Sequence, residues 1–276
     1  MLEALDAPYL QRALVAGLLL SVPLGLLGCW IVLRELAFFA HAVGVATFPG
    51  VVVGLALPAL GPFAGALLAA LGFSAVISAS EADHRLRGGA ATGLALAVAL
   101  AAGAVLLTAL GAGAAPVDRL LFGSLLAVSS ADVLLCLVGA AVSVGVVALL
   151  LPRLAATTFD RAWATPAGAG ERATASAILG LVSLVVVCAL PAVGSLLVSA
   201  LLVAPAASAR LITERLGPML AWATGLCAFE TVVGVLLARA LDLPPGAAIA
   251  AVAGLGFGLI AAARAAASRR MRVAPT

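Results

Sequence analysis

Apolar residues occur in long runs separated by short polar turns over almost the whole chain. A helix needs roughly 17–25 apolar residues to cross the hydrocarbon core of a membrane, and these runs have that length. We therefore predict an all-α, polytopic transmembrane bundle with about nine crossings. The predicted crossings are 10–33, 36–57, 63–80, 88–110, 132–152, 174–190, 192–207, 218–240 and 246–263. The seventh is short and follows Pro191, which predicts a broken or re-entrant helix there.

Composition supports a membrane protein and excludes a soluble domain. The chain has 276 residues, of which 64% are hydrophobic and 10% are charged, and it contains no lysine. One soluble core cannot bury so much apolar surface, so we interpret residues 1–276 as a single transmembrane domain. The acidic, proline-containing N-terminus predicts no cleaved signal peptide. The single, scattered cysteines predict packing residues, and the net charge of +3 reflects topology and indicates no nucleic-acid partner.

The arginines predict the orientation. If the N-terminus is outside, twelve arginines lie on the cytoplasmic side and three outside, which is a clear positive-inside bias. The three outside are Arg12, Arg119 and Arg239. We therefore predict an outside N-terminus, a cytoplasmic C-terminus and an odd number of crossings.

Five segments carry motifs that resemble those of one family of permeases. They are 34–50 (basic turn, aromatic pair and closing Pro-Gly), 121–132 (LFGSLLAVSSAD), 159–168 (FDRAWATPAG), 193–211 (VGSLLVSALLVAPAASARL) and 241–249 (LDLPPGAAI). In this order and at these spacings, the chain resembles the integral membrane permeases of the zinc/manganese-type ABC importers.

The resemblance implies a set of partners. A second permease copy, two cytoplasmic ATP-binding subunits and an extracytoplasmic metal-binding protein would work with this chain in the plasma membrane of a prokaryote. No GxxxxGK[ST] motif is present in this lysine-free sequence, so ATP hydrolysis is assigned to the partners and the chain is not an enzyme. No permanently bound cofactor is expected, and Zn²⁺ or Mn²⁺ would be the transported substrate.

The segment 153–173 is the longest polar interval and lies on the predicted cytoplasmic side. By resemblance it is the loop that docks into the ATPase. Asp160 would cap a short helix, Trp163 would anchor the loop, and Gly168 would lie in its turn. The alternative is an ordinary solvated loop.

His41 is a titratable residue in an apolar crossing, which makes it a functional candidate. In the family, this position carries an aspartate and the position four residues later a histidine, near the proposed metal path. Here the two residues are His41 and Val45, on one helix face. An imidazole suits zinc, whereas manganese prefers oxygen. The alternative is a histidine that is hydrogen-bonded between helices.

Glu230 is the other ionisable candidate inside a crossing, and it is expected to face the protein interior or a wet cavity. It is a candidate for the missing carboxylate, although it lies about 18 Å into its helix and His41 only about 8–10 Å into its own. Joint ligation then requires tilt or a vertical offset between the helices. Asp118 and Asp242, near membrane edges, are candidates for collecting cations at an outer mouth, or are caps.

The preferred hypothesis is a homodimeric permease for a divalent transition metal, with zinc favoured over manganese. One alternative is an ABC permease for a chelated or organic substrate. Another is an ATP-independent cation channel or secondary carrier. Neither HExxH nor GxSxG occurs in the sequence, which argues against an intramembrane enzyme.

Overall fold

The computed structural model describes residues 8–80, 89–111, 128–159, 170–241, 243 and 245–273. In these ranges the chain forms ten α-helices and no strands. The helices are α1 (Pro8–Leu33), α2 (Ala37–Ala46), α3 (Phe48–Ala56), α4 (Gly61–Ser80), α5 (Ala90–Ala109), α6 (Ser130–Phe159), α7 (Glu171–Val193), α8 (Ser195–Ile212), α9 (Leu216–Ala240) and α10 (Pro245–Val273). The predicted all-α polytopic bundle is confirmed.

Eight stretches in the described ranges are long and apolar enough to cross a membrane, with α2 and α3 together forming one of them. The apolar part of α8, Leu197–Ile212, is shorter. Nine apolar segments with a short seventh therefore match the prediction. The break differs in position, because α7 continues through Pro191 to Val193 and is followed by Gly194, where φ is 78°. A glycine adopts that backbone conformation without the cost that a side chain would impose.

The second crossing is divided, which the sequence analysis did not expect. α2 ends at Ala46 and α3 begins at Phe48, with Thr47 between them. Pro49 has no N–H to donate to the preceding turn, and Thr47 Oγ1 donates to the Gly44 carbonyl at 2.6 Å. Both effects interrupt or bend a helix.

The segment 153–173 is helical at both ends. α6 continues through Pro152 to Phe159, and α7 begins at Glu171. Thr158 Oγ1 donates to the Leu154 carbonyl at 2.7 Å, within this last part of α6. Residues 160–169 lie outside the described residues.

The outer surface of the bundle is apolar. Leu149, Leu259 and Leu94 are 80%, 72% and 69% exposed, whereas Trp30 and Leu24 are fully buried. Such exposed side chains are stable when they face lipid, so this surface agrees with a membrane-embedded bundle. The four cysteines are buried and free, as predicted for packing residues.

α8 packs against α1, α2, α9 and α10. Its contact with α1 depends on Gly28, since a Cβ atom there would overlap the carbonyl oxygen of Leu202. Gly25 of α1 packs equally closely against α9, since a Cβ atom added to Gly25 would lie 2.6 Å from the Cα of Thr224. Small residues let helices approach closely where lipid provides no hydrophobic drive.

We expect Gly28→Ala to lower the free energy of unfolding by about 1–3 kcal/mol, because the added methyl group forces α1 away from α8. Thermal unfolding of the purified protein in detergent measures the effect. The matched control is Gly225→Ala in α9, where a Cβ would meet no atom within 4 Å. Equal unfolding temperatures for the two variants would contradict the close-packing argument.

Candidate translocation site

His41 lies in the second turn of α2 and is half-buried. Its Nδ1 atom is 3.4 Å from Ser199 Oγ of α8, and the ring tautomer decides which atom donates. No hydrogen bond to Nε2 is present within the described part of the chain. His41 thus makes a contact between helices, as the alternative of a hydrogen-bonded structural histidine predicted. It also retains one ring nitrogen that can bind a metal ion.

Val45 is also half-buried, one turn further along α2. Residues four apart lie on the same helix face, so Val45 follows His41 along the surface that faces the same neighbours. Its side chain has no donor atom. On this face α2 therefore supplies one ligand group at these two positions.

Two serines of α8 face this part of α2, and sequence reasoning did not select them. Ser199 contacts His41. Ser195 lies beside Gly44, where an added Cβ would come within 2.9 Å of the Ser195 Cβ. The sequence did contain a signal for these serines, because their spacing of four residues within the 193–211 motif places both on one face of α8. That face becomes a candidate site only once the fold shows that α2 packs against it.

Glu230 faces the protein interior, as expected. It is 3% exposed, and its Oε2 atom is buried with no hydrogen-bond partner among the described residues. Its other oxygen points towards α10, since a Cβ built on Gly256 would lie 3.7 Å from Oε1. Glu230 therefore lies at the contact between α9 and α10, where a glycine leaves space for the carboxyl group.

α8 relates the depths of His41 and Glu230. Cys227 of α9 lies 3.7 Å from the Leu201 carbonyl, and a short turn joins the antiparallel α8 and α9. Glu230, three residues beyond Cys227, is therefore level with Val198, while His41 is level with Ser199. At about 1.5 Å per residue, the two side chains lie at nearly the same depth. Counted from the first residue of each helix, Glu230 was expected to lie deeper than His41. The two side chains lie at one depth because α2 begins much deeper in the bundle than α9.

The structure does not bring His41 and Glu230 into contact. α8 packs against both α2 and α9, and each side chain approaches a different set of neighbours. No hydrogen bond or ion pair joins the two residues, and the described ranges contain no group of three His, Cys, Asp or Glu side chains that could hold a metal. His41 and Glu230 therefore lie at the same depth in the bundle without touching each other.

A polar cluster connects α1 to the segment 153–173. Arg34 donates from Nη2 to Thr157 Oγ1 at 2.8 Å and from Nε to Thr158 Oγ1 at 3.2 Å. Thr174 of α7 donates to Thr157 Oγ1 at 3.3 Å. Arg34 lies just before α2, so the cluster joins the start of the helix that carries His41 to the end of α6 and the start of α7.

The remaining predicted site residues lie outside the described residues. They are the outer-mouth candidates Asp118 and Asp242 and the docking candidates Asp160, Trp163 and Gly168.

The sequence matches the model of the ABC 3 transport family over residues 6–264. The chain belongs to the ABC 3 transport family. The predicted resemblance is thereby confirmed, and it covers almost the whole chain.

Similar proteins carry the names of metal transport systems. The manganese transport system membrane protein MntC of Halalkalibacterium halodurans is 33% identical over 258 residues, covering 93% of this chain and 88% of that protein. The manganese import system permease protein ScaB of Streptococcus parasanguinis is 29% identical, covering 90% and 88%. A probable iron transport system membrane protein of Haemophilus influenzae is 27% identical, covering 90% and 91%.

Solved structures share the fold. PsaBC from Streptococcus pneumoniae, solved with a Fab, superposes with a TM-score of 0.82 at 25% identity, covering 94% of this chain and 93% of that chain. An inward-facing putative metal-chelate type ABC transporter gives a TM-score of 0.64 at 18% identity, covering 91% and 84%. The second similarity concerns the fold alone.

We expect Glu230→Gln to raise the free energy of unfolding by about 1–3 kcal/mol, because a neutral amide of the same shape removes the cost of burying a carboxylate charge. Thermal unfolding in detergent measures the change. Glu214→Gln is the control, since that side chain is 91% exposed and its Arg264 contact is 4.0 Å long. A fall in stability for Glu230→Gln would indicate that the carboxyl group makes a stabilising interaction.

Proposed function

We propose that this chain is the membrane-spanning permease subunit of an ATP-driven importer for a divalent transition metal. The observation that carries the proposal is the similarity to permeases named for manganese transport over about nine-tenths of the chain. His41 and Glu230 add a physical reason, because both are ligand-bearing side chains at one depth inside an apolar bundle. Ionisable groups in such positions are expensive and characteristically mark ion pathways.

Manganese is the first candidate substrate and zinc the second. The names of the relatives favour manganese and move the preference away from zinc, which the sequence alone suggested. The specific observation that favours zinc is the imidazole at position 41, since nitrogen ligands suit zinc better than manganese. Transport of the two ions by one preparation decides between them.

The proposed mechanism uses few and weak ligands. His41 supplies a ring nitrogen to the substrate ion, and Glu230 supplies negative charge at the same depth. A complete tetrahedral cage would retain the ion, whereas one or two protein ligands and water let it pass. Helix movement then exposes this level of the bundle to each side of the membrane in turn.

ATP hydrolysis belongs to separate subunits in this proposal. We assign to the transporter a second permease copy, two cytoplasmic ATP-binding subunits and an extracytoplasmic metal-binding protein. Its location is the plasma membrane of a prokaryote, with the N-terminus outside. The segment 153–173 contacts the ATP-binding subunits, with Asp160, Trp163 and Gly168 in the docking part and Asp118 and Asp242 at the outer mouth.

In vesicles that contain the permease with its ATP-binding subunits, we expect His41→Ala and Glu230→Gln each to reduce ATP-driven Mn²⁺ and Zn²⁺ uptake by about tenfold or more, because each removes a group from the path. Glu214→Gln is the matched control for an acidic residue outside the path. Unchanged uptake in both path variants would remove these residues from the mechanism. Absence of metal uptake in the wild-type transporter would contradict the proposed function.

We expect Arg34→Ala to separate ATP hydrolysis from transport. The variant loses the hydrogen bonds from the start of α2 to Thr157 and Thr158, so movement of the 153–173 segment no longer reaches His41. Metal uptake per ATP hydrolysed should fall severalfold while the ATP-binding subunits still co-purify. Arg264→Ala is the control, since Arg264 donates to the Leu211 carbonyl at 2.5 Å, away from that segment.

Two results would contradict the coupling proposal. One is an unchanged ratio of uptake to hydrolysis in Arg34→Ala. The other is a transporter that retains ATP-driven uptake after deletion of residues 160–169. If no ATP-binding subunit co-purifies and uptake needs no ATP, a channel or secondary carrier replaces the ABC importer.

A further inference from the structure

The interface between α2 and α8 contains polar atoms at successive levels. We call the surface formed by His41 and Gly44 of α2 and by Ser195 and Ser199 of α8 the α2–α8 seam. The two helices are antiparallel, because the earlier residue on α2 contacts the later one on α8 in both pairs: His41 with Ser199, and Gly44 with Ser195. The two levels are separated by about 5–6 Å, one helical turn.

Ser195 is the unexplained residue of this seam. It is 2% exposed, and its Oγ atom is buried with no hydrogen-bond partner in the part of the chain that the structure describes. Burying a hydroxyl group without a partner costs about 1–3 kcal/mol, whereas alanine would pack against Gly44 without that cost. Because this hydroxyl group lies beside Gly44, one turn from the level of His41, it is a candidate ligand for an ion that passes His41.

The chemistry of the seam identifies the class of ligand. Its side chains present an imidazole nitrogen and two hydroxyl oxygens, all of them able to act as electron-pair donors to a cation. Carboxylates are absent from the four residues that define it, so binding is weak and water completes the coordination shell. Hydroxyl and water oxygens also suit manganese, which the imidazole alone does not.

We propose that Ser199 and Ser195 are ligands to the transported divalent cation at two successive positions. At the first, His41 and Ser199 contact the partly hydrated ion; at the second, one turn towards the start of α8, Ser195 contacts it. The serines of α8 thus supply oxygen at the level where α2 carries His41 and Val45. This inference rests on the proposed transport function and specifies the residues that carry it out.

The first experiment measures Co²⁺ binding to the purified permease by its visible absorption. We expect Ser199→Ala and Ser195→Ala each to weaken binding by about tenfold, since the loss of groups that only support a ligand already costs that much. Ser208→Ala is the matched control, because Ser208 is also buried on α8 with an unpartnered Oγ. It lies about 14 Å further along the helix than Ser199, among residues that face α1 and α9.

The second experiment tests direct contact with the ion. In Ser199→Cys and Ser195→Cys, a thiolate at a ligand position should give a new near-ultraviolet charge-transfer band with Co²⁺. Ser208→Cys and the wild-type protein, whose native cysteines are buried, should give none. The band in Ser199→Cys should weaken in the double variant with His41→Ala, because the two residues share one position.

The outcomes separate this inference from the proposed function. If the wild-type transporter takes up metal and the serine variants bind Co²⁺ and transport like Ser208→Ala, the serines are packing residues and the inference is wrong. If the wild type takes up no metal, the proposed function is wrong. Size-exclusion profiles show whether each variant is folded, and Ser199→Thr, which retains the hydroxyl group, should restore binding if alanine removes it.

Discussion

The close packing of α8 against its neighbours is the constraint on which the candidate site depends. α8 contacts α1, α2, α9 and α10, and Gly28 lets the backbone of α1 reach the Leu202 carbonyl. In lipid there is no hydrophobic drive to bring helices together, so contact area between small residues must provide the attraction. The same close approach places Ser199 beside His41 and Leu201 beside Cys227. One helix therefore sets the depth of both ionisable side chains.

Polar groups in the described part of the bundle fall into two kinds. Some are satisfied locally or in pairs, such as Ser74 with Ser183 and Ser78 with Ser176 between α4 and α7. Others, including Ser195 and Glu230, have buried oxygens without a partner. An unsatisfied buried oxygen reduces stability, so polar groups of the second kind are the first candidates for a functional role. In this chain Glu230 lies at the level of His41, and Ser195 lies one helical turn from that level.

In the proposed function, the residue at position 41 bears on substrate choice rather than on the fold. The flanking aromatic pair and Pro-Gly shape α2, and the break after Ala46 follows from Thr47 and Pro49. Replacing a charged oxygen ligand by a neutral nitrogen weakens electrostatic attraction for every divalent ion and favours ions that accept nitrogen. Relatives named for manganese show that the family architecture is compatible with an oxygen-preferring ion. The hydroxyl groups of α8 reconcile these two observations in the proposed path.

Local features of the sequence account for the all-α bundle, the short seventh apolar segment, the family and the interior position of Glu230. These features follow from run length, composition, local motifs and the cost of charge in lipid, which act on contiguous residues. Three features became clear from the folded bundle alone: His41 faces Ser199, His41 and Glu230 lie at one depth, and α6 continues to Phe159. Depth and facing partner depend on where each helix begins within the packed bundle. The depth at which each helix begins is set by contacts between residues far apart in sequence. A local sequence pattern therefore does not predict it.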